Sequence, residues 1–101
     1  MNKLVVAVPC KKVKEVTVKE WLNKLDEEVQ EFKDEIFKWY GPDNVLTAGL
    51  PAPNGKDRIA EEGADVCTII TSIEERVGIM KEERMKAQLR VNIHNAERGR
   101  L

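Results

Sequence analysis

Residues 58–73, RIAEEGADVCTIITSI, decide how the chain is read. Ile59, Gly63, Val66, Ile70, Ile73 and Val77 recur every three or four residues, the period of one face of an α-helix. With Val66 at the centre of that stripe and about 100° per residue, Ile59, Ile73 and Val77 fall within about 20° of it, and Ile69 about 60° to one side. Glu62 lies only about 40° from the centre, inside the apolar arc. Asp65 stands about 100° off on the same flank, within side-chain reach of Glu62. Glu61 is further round, nearer solvent. Asp57 is the expected cap of this helix and Gly78 its expected stop.

The segment upstream repeats the pattern. Thr17-Val-Lys-Glu20 has the form of a capping box, a hydroxyl for the first free N–H groups and a carboxylate three residues later reaching back. Leu25, Val29, Phe32 and Ile36 then form one stripe, and Gly41-Pro42 ends it, which predicts a helix over 18–40. Around Leu25, the acids Glu28 at about 60°, Glu35 at about 80° and Glu31 at about 120° share one flank. Glu27 and Asp34 point the other way. Residues 41–56 hold three of the four prolines and three of the six glycines and read as a long loop. Met85, Leu89, Ile93 and Ala96 predict a weaker third helix over about 80–97, stopped by Gly99. Leu4–Val8, ended by Pro9, reads as a short strand or extended arm. The fold class expected is therefore all-α: an arm over 1–16 and a helical domain over 17–101. That domain is a helical hairpin plus a third helix, and pairing of copies would complete four-helix-bundle-like cores.

Charge is heavy but balanced, 17 basic against 18 acidic residues, a net charge of -1. That gives no reason to expect a nucleic acid polymer or an anionic membrane as partner. The longest apolar run is too short to span a bilayer. Two isolated cysteines, Cys10 and Cys67, with no secretory pattern read as reduced thiols, so the cytoplasm is the expected compartment. Cys67 reads as a small core side chain. A chain of 101 residues builds a modest core, so a homo-oligomer is expected.

Each of the first two helices thus carries acids of two kinds, some on the wet face and some against the seam. An ionised carboxylate buried without a partner costs several kcal/mol, roughly, and clustered ones repel each other. Two readings follow. Long Glu side chains at a stripe edge can reach water. Alternatively, Glu-x-x-Glu on one helix facing Glu-x-x-Asp on the next gathers carboxylate oxygens for a hard cation, Mg²⁺ or Mn²⁺. Neither pair has a His or Cys nearby, which argues against zinc.

Glu28-Val-Gln-Glu31 followed by Glu62-Gly-Ala-Asp65, set in LDEEVQEF and RIAEEGADVCTIITSI, resembles the signature of the MazG-like all-α nucleoside triphosphate pyrophosphohydrolases. The tail NIHNAERGRL resembles that family's Asn-x-x-Arg-Gly element, here Asn95, Arg98 and Gly99. The resemblance spans about residues 17–99. The spacer between Glu31 and Glu62 is longer than is usual in the family, and the extra length falls in the Gly/Pro-rich loop. The resemblance implies Mg²⁺-dependent hydrolysis of a nucleoside triphosphate between the α and β phosphates, in a homodimer or homotetramer. By analogy Glu28, Glu31, Glu62 and Asp65 would bind Mg²⁺, with Mn²⁺ as a substitute. Glu31 and Glu35 are candidates for the base that takes the water's proton.

Asn95 and Arg98 are candidates for phosphate contact, as are Lys86 and Arg90 one to three turns back, and Lys56 and Arg58 at the start of the second helix. Basic residues at a helix C-terminus also simply suit its dipole. Trp21 lies on the carboxylate side of the first helix and could stack a base or serve as core; Trp39 and Tyr40 pose the same choice. His94 reads as a surface residue. Two alternatives remain beside the pyrophosphohydrolase: a phosphoribosyl-ATP pyrophosphatase-like enzyme from the same superfamily, and a non-catalytic helical interaction module.

Overall fold

The computed structural model describes residues 16–46 and 54–99. They form three helices in order, α1 (Val18–Tyr40), α2 (Lys56–Arg76) and α3 (Lys81–Glu97). The all-α expectation holds. The expected arm over 1–16, with Cys10, lies outside the described residues apart from Val16.

The capping box starts α1. The Glu20 N–H donates to the Thr17 hydroxyl at 3.1 Å, and the Thr17 N–H donates to the Glu20 carboxylate at 3.2 Å. This pulls the Glu20 carboxyl below its ordinary pKa, first through the backbone bond and then through the Thr17 hydroxyl. Gly41 ends the helix at φ 73°, a backbone angle that favours a residue without Cβ. The second helix departs from expectation at its start. Gly55 is the N-cap and makes no side-chain cap bond, while Asp57 sits inside the first turn. There its carboxylate suits the positive end of the helix dipole, so it helps the helix start without capping it. Gly55 also lies so close to Trp39 that a Cβ would collide with the indole. This contact closes the loop end of the hairpin. Gly78, at φ 86°, follows the end of α2, and α3 starts with the Met80 N–H donating to Glu83 at 2.9 Å.

α1 packs against α2. Leu25, Val29, Phe32 and Ile36 are half-buried along the contact, opposite Ile59, Gly63, Val66 and Ile73. A Cβ on Gly63 would meet the Phe32 ring at 3.4 Å, so glycine here lets the helices approach closely. The buried arc of α2 is rotated from the predicted one. Ile70 and Val77 are exposed, whereas Ile69, Glu62 and Ser72 are buried. On the helical wheel these lie about 40–120° towards the acid flank from Val66. Cys67, expected in the core, is likewise exposed. Only Trp21 and Ile69 count as buried apolar side chains among the described residues.

Among the described residues α3 packs against neither α1 nor α2. It is tied to the end of α2 through Arg84, which donates to the Ile79 carbonyl at 3.3 Å and stands 3.9 Å from both Glu74 and Glu75. Met85, Leu89, Val91 and Ile93 are all exposed. The radius of gyration, 15.9 Å, exceeds the roughly 13 Å of a compact domain of this length, as a helix standing off its hairpin requires.

Candidate metal centre

The most deeply placed charged group of the hairpin is Glu62, 3% exposed, and Glu28 on the facing helix is 9% exposed. The apolar stripe residues beside them are only half-buried. The two carboxylates are buried to about the same degree as the apolar Ile69 and Trp21. One oxygen each from Glu28, Glu62 and Asp65 lie within 4.8 Å of one another. Opposite ligands of a single Mg²⁺ span about 4.2 Å, so small side-chain rotations suffice for these three to share one ion. All donors are carboxylate oxygens, the chemistry that hard divalent cations take.

Glu62 is divided between two environments. Its Oε1 pairs with Arg58 Nη2 at 2.6 Å, while its Oε2 is buried with no hydrogen-bond partner. Such an oxygen in a dry seam is costly, roughly 1–3 kcal/mol. A cation in the cluster would relieve it. Glu28 is met by Lys24 at 3.1 Å, and this contact raises the Lys24 pKa, first through the hydrogen bond and then through the Glu28 charge.

Glu31 stands at the edge of the cluster and is exposed. Its carboxyl is held above the ordinary value, chiefly by the Glu28 charge, with the Glu62 charge adding to it. Glu35 lies about two turns along α1 from Glu28, and its carboxylate accepts the Trp39 indole N–H at 3.3 Å. It belongs to the hairpin's closed end, and it is outside the cluster. Of the predicted acids, then, Glu28, Glu62 and Asp65 converge, Glu31 is coupled to them by charge, and Glu35 is committed elsewhere.

Of the predicted substrate contacts, Arg58 stands at the acids, paired with Glu62, whereas those on α3 do not. Trp21 is 8% exposed and is half of the apolar core, so its ring has no open face for a base in the single chain. Lys86, Asn95 and Arg98 lie on or at the end of α3, which does not pack on the acid-bearing helices. His94 is an exposed residue 3.8 Å from Glu97, as a surface histidine would be.

The sequence reading missed the role of Lys24 and Arg58. Glu28 and Glu62 are each met by a cation of their own helix one turn earlier. The signal was there: basic and acidic residues at 24/28 and 58/62 have the i,i+4 spacing that puts them on one helix face. Compared with family models, with curated proteins and with solved structures, the chain finds no match.

Proposed function

We propose that this chain is a Mg²⁺-dependent nucleoside triphosphate pyrophosphohydrolase, releasing a nucleoside monophosphate and pyrophosphate. The observation that carries the reading is the buried Glu62, one oxygen unpartnered, facing Glu28 across the α1–α2 seam with Asp65 beside it. Evolution has little reason to keep a carboxylate buried in a small core for stability alone, since an apolar side chain there is commonly as good or better.

Glu28, Glu62 and Asp65 would hold the ion, with Glu31 at its rim. Bound there, a divalent cation offsets triphosphate charge and lowers the pKa of a coordinated water. The protein's own part is to fix these acids at the mouth of the seam and to take up a proton. Glu31 suits that task better than Glu35: neighbouring negative charge raises its proton affinity, and no indole occupies it. Lys86, Asn95 and Arg98 would serve phosphate only if α3 reaches the acids of another copy. A homodimer or homotetramer fits this requirement and would cover Met85, Leu89 and Ile93 as well.

The same exposed face of α3 supports a second reading, a helical interaction module whose acids are structural. One assay separates the two. The purified chain is given mixed deoxynucleoside triphosphates with Mg²⁺ or Mn²⁺, and pyrophosphate is measured separately from single phosphate. The expected result is stoichiometric pyrophosphate and monophosphate, lost in Glu62→Ala while the helical circular dichroism remains. A folded chain that releases no pyrophosphate favours the interaction module.

A further inference from the structure

Four carboxylates, Glu28, Glu31, Glu62 and Asp65, stand with two cations, Lys24 and Arg58. The cations are arranged alike. Each precedes its acid by four residues on the same helix, and each reaches the acid from the solvent side. Arg58 is 59% exposed at its side chain, whereas the Glu62 side chain it binds is 4% exposed. One carboxylate oxygen is thus tied to the rim of the seam, and the other is left inside it without a hydrogen bond.

Helix stability does not account for this arrangement. Arg58 lies in the first turn of α2, where a positive charge opposes the helix dipole. A cation placed N-terminal to its acid is also the weaker order for an i,i+4 pair, and Lys24–Glu28 repeats that order on α1. Two such pairs, on the two walls of one acidic cluster, point to a task at the cluster.

The geometry points to Arg58 as a positioning residue of the metal centre, an inference that rests on the proposed function. It holds Glu62 by Oε1 and so presents Oε2 to the cation, and Lys24 does the same for Glu28 on the facing wall. A carboxylate fixed before the ion arrives loses less rotational freedom on binding it. Removing such an outer partner of a metal ligand costs about 10–100-fold in metal affinity. The opposite role, a resident counter-ion that competes with the metal, predicts the opposite sign: its removal would tighten binding.

The test is a calorimetric titration of the full chain with Mn²⁺ and no nucleotide, on wild type, Arg58→Gln, Arg58→Lys and Glu62→Gln. Arg58→Gln is expected to weaken Mn²⁺ binding by about 10–100-fold, and Arg58→Lys by less, since it keeps the charge but not the planar fork. In EDTA the thermal midpoint of Arg58→Gln should fall, because the buried Glu62 carboxylate is then left without its counter-charge, and Arg58→Lys, which keeps that charge, separates loss of stability from loss of metal affinity. Binding by Arg58→Gln that equals or exceeds wild type, with Glu62→Gln impaired, overturns the positioning role alone. Absence of Mn²⁺ binding to wild type, or equal binding by Glu62→Gln, overturns the metal centre and this inference with it.

Discussion

Replacing Glu62 with methionine asks whether the carboxylate serves the fold or a ligand. Methionine keeps the length and helix preference of the side chain and removes its charge. The substitution removes the orphaned Oε2, a buried group whose desolvation costs roughly 1–3 kcal/mol. It also removes the Arg58 pair, but Arg58 is largely exposed, so that loss is screened to about 0–1 kcal/mol. The net expectation is a more stable fold in EDTA, by about 1–2 kcal/mol, or roughly 4–16 °C in thermal midpoint for a chain of this size. Wild type should instead gain stability from the ion, about 2.7 kcal/mol at a free concentration one hundred times its dissociation constant. Glu62→Met should show no such gain. Circular dichroism at 222 nm during heating, in EDTA and in millimolar Mg²⁺ or Mn²⁺ at one fixed chain concentration, reads both effects. A variant less stable than wild type in EDTA, together with a wild type indifferent to divalent ions, would show that Glu62 is structural and refute the reasoning.

Thr17→Ala removes the cap of α1 and should cost about 1 kcal/mol of stability, measured by urea unfolding. Because the folded-state pKa of Glu20 is lowered, its contribution is present above the ordinary carboxylate range and is lost as the pH falls through the depressed value. Glu20→Gln should therefore flatten the acid limb of the stability profile. Gly55→Ala should force the loop away from Trp39 and weaken the closed end of the hairpin, read as greater accessibility of Trp39 to a fluorescence quencher; an unchanged spectrum and quenching constant would count against the contact. Leu89→Glu on α3 should lower the association state in sedimentation at micromolar concentration if that face joins copies, and an unchanged sedimentation coefficient would remove α3 from the interface.

What the sequence determined by itself is local. The apolar spacing and the capping box specify α1, and Gly41, Gly78 and Gly99 mark the ends of the helices, because caps, turns and helical period depend on neighbours a few residues away. The same arithmetic put Glu28 and Glu62 at the seam, since a position on a helical wheel needs no knowledge of the partner helix. What faces that wheel is another matter. The rotation of the buried arc towards Ile69 and Ser72 and the exposure of Ile70 and Cys67 follow from how α1 settles on α2 around Gly63 and Phe32, whereas the Glu35–Trp39 bond is an i,i+4 contact within α1. The convergence of Glu28, Glu62 and Asp65 is likewise tertiary. Distances between groups some thirty residues apart are set by packing, and packing is a sum over both surfaces that no single stretch of sequence contains.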